Sequence, residues 1–311
     1  MSKRVEQALA LDKRSIGQLV TLFEDGRTEA ASARKGVLAE LAAAPVTRRA
    51  RFVGVAGTPG AGKSTLIGEL GLRLIRDSPD VAVAVLAVDP TSHVSGGALL
   101  GDRTRVRFPA DEDRLFFRSQ ATDLDLGGVG RNTFSVCRLM QYLFDLVFIE
   151  TVGIGQSEVE IERVADWVYL VLQPMAGDQI QFMKAGIMEV PDAFVMNKCD
   201  QAQAAAASFH ALESSLGLAG KANAVIHRTS ATTGEGLDVL AVEVAALRQR
   251  EPARSMADKE AYFFEKWVRE QFGRSGVDAL HKRASNPADY IAGAGSLDDA
   301  QIKFERDYRK L

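Results

Sequence analysis

Cysteine is almost missing from this chain: Cys137 and Cys199 are the two in 311 residues. That is too few for a disulfide framework or a cysteine-based metal centre. The four histidines, His93, His210, His227 and His281, are scattered, and none pairs with another at metal-ligand spacing. No apolar run reaches about 18 residues, so no membrane-spanning helix is expected. The formal net charge is −3, which gives no global field toward nucleic acid or an anionic membrane. Basic clusters (Arg48-Arg49, Arg51; Arg103, Arg105, Arg107) are short and interrupted. Met1 to Arg14 lacks a secretory apolar region, and the expectation is a cytoplasmic protein with no nucleic-acid or membrane partner.

What is present is regular alternation. Apolar runs at Phe52–Ala56, Val81–Val88, Leu115–Arg118, Leu146–Glu150, Trp167–Leu172, Ala193–Met196 and Ala224–Arg228 are separated by helical patterns. This predicts an α/β fold with a mostly parallel sheet flanked by helices on both faces. Residues 1–48 read as a helical extension, with Ile16, Leu19, Val20 and Phe23 on one face. Residues 49–250 form the α/β domain. Residues 251–311 change character: Tyr262, Phe263, Trp267 and Phe272 recur at helical spacing, as a stripe that packs against the chain or meets a second copy. Ser285 to Ser296, rich in Ala, Gly, Pro and Asn, reads as a loose connector before a last short helix over Leu297–Leu311.

The segment Gly57-Thr-Pro-Gly-Ala-Gly-Lys-Ser64 follows the first apolar run and opens a helical pattern. Strand, glycine-rich loop and helix are the context that a P-loop requires. Small residues let successive backbone N–H groups turn around an anion, and the helix adds its positive N-terminal dipole. Gly60, Ala61, Gly62, Lys63, Ser64 and Thr65 are therefore the candidate phosphate binders. Lys63 is placed to reach the β- and γ-phosphates and Ser64 to ligate Mg²⁺.

Asn197-Lys198-Cys199-Asp200 follows the run Ala193–Met196. An N-K-x-D at a strand end, downstream of a P-loop, reads as a guanine-recognition motif. The Asp200 carboxylate accepts from guanine N1–H and N2–H₂, whereas adenine has no 2-amino group and an acceptor at N1. A buried carboxylate left unpaired costs a few kcal/mol, about the size of the discrimination needed. Lys198 is expected over the purine face, Asn197 to tie this loop to the P-loop, and Cys199 to be filler. Ser230-Ala231, after the last apolar run, resembles the S-A element whose backbone meets guanine O6; two residues are a weak signal, and position carries the argument.

Acids gather at other strand ends. Glu150-Thr-Val-Gly153 closes one, with Glu150 toward the metal and the Gly153 N–H toward the γ-phosphate. Asp89 closes another, as a candidate for Mg²⁺ or for orienting the attacking water, because ligands in open α/β sheets collect at carboxyl ends. Asp102, in the small-residue segment Ser95 to Arg103, is a further carboxylate in what suits a switch loop. Each of these acids can also be read as an ordinary turn or strand-end residue.

The blocks G-T-P-G-A-G-K-S-T, V-D-P-T-S, S-G-G-A-L-L-G-D-R-T-R, E-T-V-G-I-G-Q-S-E and N-K-x-D together resemble the MeaB/ArgK family of G-proteins, which includes the methylmalonic aciduria type A proteins. The resemblance spans nearly the whole chain. It implies a P-loop NTPase fold of the signal-recognition/MinD/BioD-like class, with helical N- and C-terminal extensions, the latter a dimerisation arm. It implies a GTPase, dependent on Mg²⁺, that gates adenosylcobalamin loading and protects or reactivates an acyl-CoA mutase such as methylmalonyl-CoA mutase. By motif, Ser64, Asp89, Asp102 and Glu150 fall on the metal side, with Lys63, Asp89 and Glu150 as the catalytic group. Gln156 and Glu158 fall in the second switch. Among the other classes weighed, a GTP-dependent metallochaperone needs a His/Cys cluster. A kinase using ATP is at odds with N-K-x-D, and an RNA-binding targeting GTPase needs a basic, Met-rich appendage.

Overall fold

The computed structural model describes residues 1–45, 48–89, 106, 108–121, 129, 131–151, 157–174, 189–200 and 202–310. Seven strands, β1 (Arg51–Gly57), β2 (Val83–Asp89), β3 (Leu115–Ala121), β4 (Leu146–Thr151), β5 (Trp167–Leu172), β6 (Ala193–Met196) and β7 (Val225–Arg228), form one sheet in the order β3-β2-β4-β1-β5-β6-β7. Every pairing is parallel. β1 and β4 are buried nearly end to end, which is why they read as unbroken apolar runs rather than as alternation.

Helices cover both faces. On one, α4 (Lys63–Asp77) and α8 (Leu237–Ala246) pack Leu66, Leu70, Leu240 and Val244 against Val53, Val55, Phe148 and Val171. On the other, α7 (Ala202–Leu218) places Ala205, Leu212 and Leu216 against Leu170, Phe194 and Met196. A further helix, α6 (Ser157–Val164), precedes β5. This is the doubly covered parallel sheet of the P-loop NTPases.

The chain divides into two compact units. One is Arg48–Gly130 with Phe144–Glu251; it holds the whole sheet. The other joins Met1–Thr47, Arg131–Leu143 and Pro252–Leu311. The two terminal segments, expected as separate additions, thus belong to one helical unit, together with a short stretch from between β3 and β4.

That unit contains α1 (Lys3–Leu9), α2 (Lys13–Glu24), α3 (Thr28–Ala42), α5 (Arg131–Met140), α9 (Met256–Arg283), α10 (Pro287–Ala294) and α11 (Leu297–Tyr308). Side-chain caps define several of its helix starts. Asp12 accepts from the Ser15 N–H, and Ser255 and Asp258 form a reciprocal capping box. Such caps are worth about 1 kcal/mol each. α9 is two helical stretches joined at Gly273, where φ is 63°. Residues 285–296 are not a loose connector. Asn286 accepts from the Ala288 N–H, Pro287 opens α10, and Gly295 closes it at φ 96°. The Pro and Gly read as breakers are the punctuation of a short helix.

The aromatic stripe packs within its own unit. Phe263 stacks on Phe134 at 4.2 Å between ring centres. Phe264 stacks on Trp267 and Tyr290 and meets the Phe304 ring edge-to-face. Beneath lies a buried ionic cluster: Asp298 accepts from Arg34 Nε at 2.8 Å and from Arg138 Nη1 at 2.9 Å. Glu260 sits 2.8 Å from Arg138 Nε, and burial pushes its carboxyl above the ordinary range.

Candidate functional site

The sheet order places β1 between β4 and β5, so the loop after β1 opens where the order of connection reverses, the usual ligand crevice of such sheets. Gly57 ends β1 with φ 147°, and a Cβ there would stand 2.1 Å from the Val171 carbonyl oxygen of β5. Only glycine permits this close passage. The loop then turns through Gly60 (φ 80°) and Gly62 (φ 84°) into α4.

Lys63 is buried, and its ammonium donates to the carbonyls of Gly57 (2.8 Å) and Thr58 (3.1 Å). The cation is thus held across the loop it belongs to. Ser64 donates its hydroxyl to Glu150 Oε1 at 2.7 Å, and Glu150 is 2% exposed at the end of the neighbouring β4. Hydroxyl and carboxylate meet because Val55 and Glu150 are register partners in adjacent strands. Two hard oxygen donors in contact fit Mg²⁺ better than a softer metal.

Asn197 is the hub. It follows β6, is 1% exposed, and donates from Nδ2 to the Ala61 carbonyl of the phosphate loop at 2.9 Å. Its Oδ1 accepts from the Ala231 N–H at 3.0 Å and from the Thr229 hydroxyl at 3.3 Å. One buried amide therefore joins three strand-end loops. Gly62 lies against it: a Cβ on that residue would stand 2.6 Å from Asn197 Nδ2 and 3.8 Å from Lys198 Cε. The stem of Lys198 thus passes beside the phosphate loop.

Lys198 has φ 61°, a left-handed backbone that a side chain with a Cβ adopts at a cost of about 1–2 kcal/mol. Its ammonium donates to Gln173 Oε1 at 2.9 Å. Cys199 is buried, with its thiol on the Met196 carbonyl at 3.1 Å; burial pushes its pKa up, as suits filler. Asp200 accepts from the Ser230 hydroxyl at 3.0 Å. Asp200 is exposed rather than buried, so the penalty for leaving it unpaired applies only once a ligand covers it.

The structure thus brings together Gly60, Ala61, Gly62, Lys63, Ser64, Glu150, Asn197, Lys198, Asp200, Ser230 and Ala231, and Thr65 follows in the first turn of α4. Asp89 ends β2 at the same edge of the sheet, and Glu158 lies in α6; their side chains are outside the described residues. Asp102, Gly153 and Gln156 lie outside the described residues, as do His93, Arg103, Arg105 and Arg107. The sequence reading missed Thr229 and Gln173. Thr229 directly precedes Ser230-Ala231, and a hydroxyl there could have been suspected; Gln173 carries no motif signal.

A glycine loop on a parallel sheet, a lysine and serine at its helix start, and an N-K-x-D loop tied to it define a P-loop protein of the guanine-nucleotide-binding kind. The chain belongs to the family described as methylmalonyl Co-A mutase-associated GTPase MeaB, whose match runs over residues 16–284. A Caulobacter vibrioides relative is 36% identical over 276 residues, covering 85% of this chain and 83% of that one. The methylmalonic aciduria type A homolog of Caenorhabditis briggsae, a mitochondrial protein, is 42% identical over 149 residues, 48% of this chain and 36% of its own. The chain covers 60% and 61% of the length of two Pyrococcus relatives, from P. horikoshii and P. abyssi. Among solved structures, a LAO/AO transport system kinase has the same fold, with a TM-score of 0.61 at 21% identity over 99% of this chain and 97% of that one.

Proposed function

We propose that the chain binds GTP with Mg²⁺ and hydrolyses it to GDP and phosphate. We further propose that this cycle gates adenosylcobalamin loading and protects or reactivates an acyl-CoA mutase, with methylmalonyl-CoA mutase the first client to test. The observation that carries the nucleotide half is the Asn197 bridge. It holds the phosphate loop and the two base-side loops in one frame, so a ligand must satisfy both ends at once. Asp200, oriented by Ser230, presents acceptors to the guanine N1–H and 2-amino group. Lys198 flanks the base.

At the phosphate end, the loop N–H groups and the start of α4 receive the β- and γ-phosphates. Lys63, now on two neutral carbonyls, exchanges them for anionic phosphate oxygens, an ion pair in place of an ion–dipole contact. Ser64 and Glu150 would hold Mg²⁺, with Asp89 and Asp102 as the remaining acidic candidates. Bound there, the ion neutralises charge on the transferring phosphoryl group. The catalytic group proposed is Lys63, Asp89 and Glu150; Gly153 is proposed at the γ-phosphate, and Gln156 and Glu158 as switch residues that signal hydrolysis. No strong general base stands among the described site residues, which suits a slow timer that its client accelerates.

The mutase half is supported by the family's description and by the name of the C. briggsae relative. A homodimer through the segment 251–311 and a cytoplasmic location belong to the same reading. Among the described residues no helix is long and apolar enough to cross a membrane. A metallochaperone reading has less to stand on: among the described residues no group of three or more His, Cys, Asp or Glu could hold a metal.

The test is turnover of GTP against ATP by the purified chain, alone and with a methylmalonyl-CoA mutase. GTP is expected to be hydrolysed and ATP not, with GTP turnover rising when mutase is added. Equal turnover of both nucleotides would refute the guanine assignment. GTP hydrolysis indifferent to every acyl-CoA mutase tried would refute the client while leaving the nucleotide site standing.

A further inference from the structure

The helical unit contains a cavity of about 400 Å³ that the nucleotide chemistry does not use. Its volume is in the range that encloses a small organic ligand. Three buried charged residues line it: Arg34 (6% exposed), Arg138 (4%) and Asp298 (2%). The rings of Phe134, Trp267 and Phe272 supply apolar wall.

The hydrogen bonding of the two arginines is incomplete. Arg34 donates from Nε to Asp298 and from Nη1 to the Asp25 carbonyl. Arg138 donates from Nη1 to Asp298, and its buried Nε lies 2.8 Å from Glu260 Oε1 without completing a hydrogen bond. Among the described residues, no acceptor takes the Nη2 group of either. A guanidinium has five donors, so both arginines keep capacity for a further acceptor. At the rim Arg27 pairs with Asp25 and Arg309 with Glu305. Within the cavity two guanidiniums share Asp298, and Glu260 stands behind Arg138.

Two forked donors, each with an Nη2 group that no described residue takes, match a single carboxylate, which guanidinium groups bind in plane. The aromatic wall matches an apolar body. We propose that this cavity is a binding site for a small organic monocarboxylate, its carboxylate on Arg34 and Arg138 and its apolar part against Phe134, Trp267 and Phe272. The proposal is independent of the nucleotide reading, since none of these residues belongs to that site.

The probe is benzoate, with its neutral isostere benzamide, added to the full chain and followed by saturation-transfer NMR and calorimetry. Benzoate is expected to bind saturably, and benzamide about tenfold more weakly or worse, because the anionic, two-oxygen acceptor is lost. Arg138→Gln is expected to weaken benzoate by a similar factor. Because that variant also disturbs a buried ion cluster, Gln301→Trp is the deciding one. Gln301 lines the cavity from a partly exposed position, and an indole there fills the space without removing a charge. It should abolish benzoate binding at an unchanged unfolding midpoint. The proposal fails if benzoate does not bind, if benzamide binds equally well, or if a folded Gln301→Trp protein binds benzoate like the parent.

Discussion

Asn197→Ala should damage folding and nucleotide binding together, and the structure sets the scale. The side chain makes three hydrogen bonds, to the Ala61 carbonyl, the Ala231 N–H and the Thr229 hydroxyl. Thr229 can turn to the Met196 carbonyl, which lies 3.5 Å from its hydroxyl. The two backbone groups have no such alternative: Ala61 is fully buried and Ala231 nearly so. Each orphaned group costs about 1–3 kcal/mol, so the loss of stability should be about 2–4 kcal/mol after partial relaxation. Guanine-nucleotide affinity should fall by at least about tenfold, since both ends of the site hang on this amide. The assay is urea unfolding followed by titration calorimetry on the folded fraction. Asn197→Asp is the informative partner. It keeps the acceptor for Ala231 but sets a carboxylate against the Ala61 carbonyl, and should be no better than alanine. A stability loss under about 0.5 kcal/mol with unchanged GTP affinity would show that the bridge does not organise the site.

Asp200→Asn should move preference from guanine toward xanthine nucleotides, because the amide donates where the carboxylate accepted; competition binding with both nucleotides decides, and retained guanine preference contradicts the assignment. Gly62→Ala should cost about 1 kcal/mol for the left-handed backbone and more for the 2.6 Å approach to Asn197. In the Asn197→Ala background the second part should vanish, and a strictly additive double-mutant cycle would rule out that contact. Asp298→Asn should destabilise by roughly 3 kcal/mol or more, because two buried guanidiniums lose their shared anion; a denaturation midpoint close to the parent's would argue against that network. The Asp25 carboxyl should titrate at about 2 rather than 3.8, chiefly because Arg27 donates to it. Whatever it adds to stability is present above its ordinary value and fades as pH falls toward 2. NMR titration of the carboxyl carbon reads this directly, and Arg27→Ala should bring the value back up.

The sheet was legible because its central strands, β1, β4, β5 and β6, are buried on both faces. Trp167–Leu172 and Ala193–Met196 coincide with their apolar runs, and the other five strands differ from theirs by a few residues at one or both ends. The nucleotide site was legible because its parts sit at strand ends in fixed order. Other features left no trace in the pattern. α1 is seven residues with two buried positions, too short to show a period. α10 was hidden because Pro287 and Gly295 signal breaks whether they end one helix or begin another. The pairing of Arg34 with Asp298 spans 264 positions and follows no local rule. Asp200's exposure, too, depends on tertiary placement and not on the motif string.

The helical unit draws its pieces from the first, middle and last parts of the chain. During synthesis α3 emerges long before α11 exists, and at typical elongation rates Arg34 waits on the order of 10–50 s for its carboxylate partner. Over that interval Arg34 has the Asp25 carbonyl but not its carboxylate partner. Completion of this unit therefore waits on α11. Loss of Asp298 would strike Arg34, a residue made 264 positions earlier.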